Sequence, residues 1–178
     1  YVNCLLKAVN AYTQNGNYHE SVKYLTECKM YLDIIPLPLI ANYYSEYLTY
    51  LVLVKETDKI KEVISVYTSE VPNDLLDYGS LSNAFIALED YRKALEIIFK
   101  IEDFSEMDSK IRYYAILSEI YHKLGNYEAA LEAYITYNQL NDAANMKIFE
   151  QETQFIEERY SLELRNIQNE KTKNTIIL

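Results

Sequence analysis

The chain has 178 residues and a formal net charge of -10, spread as -6 over residues 1–90 and -4 over 91–178. No basic half exists to grip phosphates, which speaks against direct nucleic-acid binding. Only three glycines and three prolines argue against a turn-rich β chain and for helices with few interruptions, in one domain or one domain with an appended element.

Taken in order, the apolar spacing predicts four helical hairpins. In the first, Leu5, Ala8, Val9 and Tyr12 share a stripe, Gly16-Asn17 breaks it, and Tyr18, Ser21, Val22 and Leu25 form the facing stripe. Steps of three and four residues put such side chains on one helix face. Glycine takes the left-handed exit of a helix at least strain. Pro36-Leu37-Pro38 is expected to end a helix, with Leu39 to Tyr43 lengthening the next. The second hairpin reads as Tyr47, Tyr50, Leu51 and Val54, a turn at Thr57-Asp58-Lys59, then Ile60, Val63, Ile64 and Tyr67.

Pro72 closes that unit, and Asn73-Asp74 are suitable N-caps for the third. There Tyr78, Leu81, Ser82 and Phe85 precede Glu89-Asp90 and the stripe Tyr91, Ala94, Leu95, Ile98. The fourth is the clearest: Tyr114, Leu117, Ser118 and Tyr121, then Gly125-Asn126, then Tyr127, Ala130, Leu131 and Tyr134. Aligned on Tyr18, Ile60, Tyr91 and Tyr127, the spacings are 42, 31 and 36 residues. Tyr18, Tyr91 and Tyr127 are expected to be buried between hairpins, and an exposed Tyr127 would count against this register. The 19 tyrosines suit half-wet helix seams, since the ring packs while its hydroxyl stays polar.

From about Asn141 helix formers dominate, and neither Gly nor Pro occurs after Gly125. Met146, Phe149, Ile156, Tyr160, Leu164 and Ile167 trace one stripe. This divides the chain into a hairpin array, 1–143, and a capping and extended C-terminal helix, 144–178. The first turns of that helix are expected to cover the last hairpin. The total is about nine helices and no sheet.

No catalytic constellation stands out. His19 and His122 lie in different hairpins, without metal-ligand spacing. The pairs Glu102-Asp103 and Glu157-Glu158 read as solvated charge, and three glycines make no phosphate loop. The expectation is no enzyme, no metal and no cofactor. Cys4 and Cys28 sit where antiparallel helices bring their ends together, leaving both a bridge and two free thiols open.

The fourth hairpin resembles a tetratricopeptide repeat: Tyr114, Leu117, Ser118, Tyr121, Ala130 and Tyr134 fill that pattern's places, and Gly125-Asn126-Tyr127-Glu128 resembles its turn. The first and third hairpins match less well, the second only in apolarity, and Asp142 stands where the pattern closes on Pro. The resemblance covers roughly residues 2–143. It implies an all-α, right-handed superhelix of about four hairpins followed by a long C-terminal helix.

It also implies a concave face, built from first helices, that receives a protein or peptide segment. The corresponding residues are Asn10, Gln14, Leu48, Val52, Lys55, Asn83, Ile86, Arg112, Glu119, His122 and Lys123, with Asn3, Leu6, Thr13, Ser45 and Leu76 beside them. Asn10 and Asn83 resemble the asparagines of a carboxylate clamp, but Leu6 and Gly79 occupy the places of its lysines, which speaks against that mode.

The tail turns basic at Lys171 and Lys173 and apolar at Ile176-Ile177-Leu178. Together with a first residue that is Tyr, this reads as a segment of a longer protein with a membrane span expected beyond Leu178. The arrangement is similar to membrane-bound regulators of the Bacteroidetes kind, whose extracytoplasmic (periplasmic) repeat domain feeds a helix into the membrane. The alternative is a free-standing, cytoplasmic scaffold whose tail helix mediates homodimerisation.

Overall fold

A computed structural model describes residues 1–101 and 106–176, with side chains to residue 166. Glu102-Asp103, Ile177-Leu178 and the side chains of Ile167, Glu170, Lys171, Lys173 and Ile176 lie outside the described residues. Eight α-helices and one short 3-10 turn, with no strand among the described residues, form the chain. They are α1 (Val2–Gln14), α2 (Tyr18–Lys29), α3 (Leu37–Val54), α4 (Thr57–Glu70), α5 (Tyr78–Ala87), α6 (Tyr91–Ile98), α7 (Met107–Lys123) and α8 (Tyr127–Ile176). The fold is an all-α array of four tetratricopeptide-like hairpins ending in a long C-terminal helix.

Each first helix ends in the same way. Gly16, Lys55, Glu89 and Gly125 all have positive φ, between 61° and 77°. Their N–H groups donate to the carbonyl three residues back, and the following N–H donates to the carbonyl five residues back. This is the double hydrogen bond that satisfies the last orphan carbonyls of a helix and turns the chain back.

These turns correct the alignment of the second hairpin. Its turn is Lys55-Glu56, and Thr57-Asp58-Lys59 already form the first turn of α4. Thr57 therefore takes the place of Tyr18, Tyr91 and Tyr127, and Ile60 that of Ser21, Ala94 and Ala130. The spacings become 39, 34 and 36 residues, closer to a true repeat. The four residues at the Ile60 position are all buried, as the closest approach of two helices demands.

A hydrogen bond marks that approach in three hairpins. Ser82 Oγ donates to the Ala94 carbonyl at 3.0 Å, and Ser118 Oγ to the Ala130 carbonyl at 3.1 Å. In the first hairpin the polarity reverses, with Ser21 on the second helix facing the Val9 carbonyl at 3.5 Å and receiving a bond from Thr13 Oγ1. In the second, Leu48 and Ile60 fill the seam with hydrocarbon instead.

The prolines act differently from expectation. α2 ends at Lys29, well before them; Pro36 is the N-cap of α3 and Pro38 lies in its first turn, where a missing N–H costs nothing. The added residues do make α3 the longest first helix, 18 residues. The third hairpin starts at Asp77, whose carboxylate caps α5 through the N–H groups of Gly79 and Ser80, while Asn73–Leu75 form the 3-10 turn.

Consecutive first helices pack on one another, α1 on α3, α3 on α5 and α5 on α7, and each second helix packs on the next first helix. The first helices thus lie on the tighter, inner side of the array. One buried cluster runs through the first three hairpins and a second joins α6, α7 and the start of α8, with Phe85 packed against both. Tyrosine rings line the seams, as where Tyr44 stacks on Tyr67 and Tyr18 meets Tyr50 edge-on.

The last hairpin departs most from expectation. Its second helix and the tail are one continuous helix of 50 residues, so the division at 143/144 falls inside a helix and eight helices stand where nine were expected. Nothing in the described tail folds back over the last hairpin. Tyr127 is 67% exposed, against the burial expected for it, while Tyr18 and Tyr91 are half-buried. The cause is position and not register: Ser118 and Ala130 keep the seam bond, but α8 runs straight on, and no further hairpin among the described residues covers Tyr127, Leu131 and Tyr134.

Candidate functional site: the inner face of the first helices

The corrected turns define which side chains the inner face presents. Six residues before each left-handed residue stand Asn10, Thr49, Asn83 and Glu119; three residues before it stand Thr13, Val52, Ile86 and His122. Steps of three residues place both rows on the same side of their helices.

Five of the expected contact residues come together. Val52, Lys55, Asn83, Ile86 and Glu119, with Thr57 and Ala87, line an open cleft of about 370 Å³ that spans the second, third and fourth hairpins. Val52, Ile86 and Ala87 form an apolar floor. Lys55 and Glu119 set opposite charges along it, and they make no ion pair with each other. Among the described residues the Asn83 carboxamide has no hydrogen-bond partner, leaving both a donor and an acceptor for a peptide group.

A second hollow of about 310 Å³ lies between the first two hairpins, lined by Asn3, Leu6, Lys7, Asn10, Asn42 and Glu46. Asn10 Nδ2 donates to both Glu46 oxygens, at 3.1 and 3.2 Å. Burial pushes the Glu46 carboxyl above its ordinary range, although the Asn10 bond and the Arg112 charge pull the other way.

Beside a further hollow of about 720 Å³, lined in part by Asp77, Gly79 and Arg112, sits a built polar junction. Asp77 accepts from Ser45 Oγ at 2.8 Å and from Arg112 at 3.1 Å while capping α5, and Ser45 also touches Ser80. Burial alone would raise the Asp77 carboxyl, but the Arg112 charge and these hydrogen bonds outweigh it and hold it below the ordinary range. Arg112 is therefore committed to structure more than to a ligand.

Leu48 is a correction. It is fully buried in the α3–α4 seam, at the position of Val9, Ser82 and Ser118, and offers nothing to a partner. The three-residue misalignment of the second hairpin is what placed it on the inner face. Leu6 and Thr13 are buried as well. Gln14 and Lys123 are exposed near the ends of α1 and α7, apart from the cleft. His122 is exposed, its ring edge-on to Tyr127 at 5.5 Å, beside a shallow groove of about 430 Å³ between α7 and α8. Thr49 and Asn42 belong to the inner face but were missed, for the same reason as Leu48 was included; Glu46 stands at the place of Lys7, a position expected on the inner face in none of the hairpins.

Among the described residues no group of three His, Cys, Asp or Glu side chains is placed to hold a metal ion, and no helix is long and apolar enough to cross a membrane. Cys4 is exposed, Cys28 buried, and both are free thiols.

An array of helical hairpins with an open inner face places the chain in the class of helical-repeat folds. The tetratricopeptide repeat family model matches residues 2–31 and 111–143, the first and fourth hairpins, and over those two segments the chain is similar to that family. Those are the two whose turns carry glycine. No curated protein and no solved structure matches the chain.

Proposed function

We propose that this chain is a non-catalytic module that holds an extended protein or peptide segment across its first helices. The observation that carries this is the convergence of Val52, Asn83, Ile86, Lys55 and Glu119 on one cleft. An apolar floor takes a side chain, the free carboxamide reads a backbone amide, and the two charges fix direction. Selecting displayed peptides on the immobilised protein tests it. Bound peptides should carry an apolar anchor and be lost on Ile86→Arg but kept on Ile34→Arg, a change at an exposed site elsewhere. Selection of no peptide, or equal binding by both variants, would overturn the reading.

The unbroken run of α8 from the last hairpin into the tail supports a role beyond passive binding. In one form the module is the sensor of a larger membrane-bound regulator on the extracytoplasmic face, and α8 carries changes in its packing towards the bilayer. In the other it is a scaffold, free in the cytoplasm, whose α8 pairs with a second copy. The exposed apolar stripe of α8 favours pairing. Locating the protein by protease accessibility in intact cells separates the two compartments.

A further inference from the structure

Past the last hairpin, α8 carries an apolar stripe that its own chain leaves uncovered. Met146, Phe149, Thr153, Ile156 and Tyr160 step by three and four residues, and the four large ones are each exposed by 65% or more. Thr153 turns its hydroxyl onto the Phe149 carbonyl at 2.9 Å, leaving its methyl for the seam. This alternation of three and four is the spacing of a two-helix coiled coil. A second set, Ile148, Phe155 and Leu162, supplies one side chain per two turns on another face. That is too narrow a strip to seat a helix, and Arg159 already lies over Phe155.

We propose that two copies of this chain pair through α8 in antiparallel orientation, Phe149 of each packing against Tyr160 of the other. This rests on the pairing form of the proposed function and specifies its geometry. In the same register Thr153 meets Ile156, and Met146 meets Glu163. The charges flanking the stripe choose the direction. In a parallel pair Glu152 of one helix faces Glu157 of the other, twice, and Glu163 meets its own copy at the seam. In the antiparallel pair Glu152 faces Arg159, twice, and Glu163 is separated from its copy. Glu150 and Glu157 oppose each other there, so attraction and repulsion balance where the parallel pair has repulsion alone. Opposed helix dipoles add to the preference. The register also runs each helix back along the other copy towards its exposed Tyr134 and Leu131, the uncovered end of the array.

The test uses the whole chain. Sedimentation equilibrium should give the mass of two chains, reduced to one by Ile156→Asp. Glu152→Arg should weaken association about tenfold, since two exposed attractive pairs become repulsive. Arg159→Glu should do the same, and the double variant E152R/R159E should restore it. In a parallel pair Glu152→Arg would instead strengthen association. That result would overturn the antiparallel arrangement while leaving tail pairing intact. A monomer, or a dimer indifferent to Ile156→Asp, would remove tail pairing altogether.

Discussion

Asp77, the N-cap of α5, holds the Arg112 guanidinium of α7 at 3.1 Å while Ser45 reaches in from α3 to the same carboxylate. One carboxylate thus ties three successive first helices together. Gly79 makes room for it: a Cβ there would stand 3.0 Å from the guanidinium carbon. Arg112 is half exposed, so its loss in Arg112→Ala should cost under about 1 kcal/mol. Asp77→Ala removes a helix cap and leaves Ser45 with Ser80 as its remaining side-chain partner, and should cost more, about 2 kcal/mol. Urea unfolding of the two variants should rank them in that order.

Asp77 and Glu46 should impose opposite pH dependences. The Asp77 carboxyl is lowered in the folded chain, so its stabilisation is present above the ordinary value of about 4 and fades as pH falls through the depressed one. Asp77→Asn should flatten the acid limb of the stability profile. The Glu46 carboxyl is raised by burial, so its contribution is full below about 4.3 and is lost as pH rises through the raised value. Glu46→Gln should therefore gain stability at neutral pH relative to its effect at pH 4. Thermal melts from pH 3 to 8 would show both slopes, and a Glu46→Gln profile parallel to that of the parent would contradict the assignment.

Most of the architecture was legible because it rests on local signals. Three- and four-residue spacing marked the helices, and Gly16 and Gly125 marked two turns. The other two turns put Lys55 and Glu89 in the left-handed region, where the signal that a reader of sequence looks for is absent. With Glu89 the neighbouring Asp90 still marked a cap; with Lys55 nothing did, and the register of the second hairpin slipped. The inner-face error at Leu48 followed from that slip. The open end of the array was illegible for another reason. Tyr127 carries the same local pattern as Tyr18, and what differs is the absence of a neighbour, a fact about the end of the array and not about the residue.

The non-glycine turns make a prediction of their own. An L-residue in the left-handed region costs about 1–2 kcal/mol, and glycine returns part of this as unfolded-state entropy. Lys55→Gly and Glu89→Gly should each stabilise the chain by up to about 1 kcal/mol. Gly125→Ala should destabilise it by a similar amount, though the space around Gly125 is open. Destabilisation by both glycine substitutions would show that these side chains hold contacts worth more than the backbone strain.

Exposure separates two tyrosines that both lie on second-helix stripes. Tyr67 is fully buried, stacks on Tyr44 and accepts the Asp77 N–H at 2.8 Å; burial first of all lifts its phenol to about 12. Tyr67→Ala should cost about 3–5 kcal/mol. Tyr127→Ala, at the uncovered end, should cost under about 1 kcal/mol. Equal costs for the two would mean that something in solution covers Tyr127, and a loss confined to high protein concentration would name a second copy as the cover.

The two cysteines supply the last test, because they differ in both access and chemistry. Cys4 is exposed on α1, while Cys28 is fully buried near the end of α2. Burial pushes the Cys28 thiol up to about 11, with the neighbouring Glu27 charge adding to it. Only a thiolate attacks a disulfide reagent, so a buried thiol with a raised value is doubly slow. At pH 8 the native protein should therefore show one fast-reacting thiol, and Cys4→Ser should abolish it. In denaturant without reductant both thiols should titrate. The slow phase of the native protein should track opening of the first hairpin, accelerating in Tyr67→Ala only if that hairpin opens together with the second. A count of zero in denaturant would mean that Cys4 and Cys28 are bridged and would overturn their assignment as two free thiols.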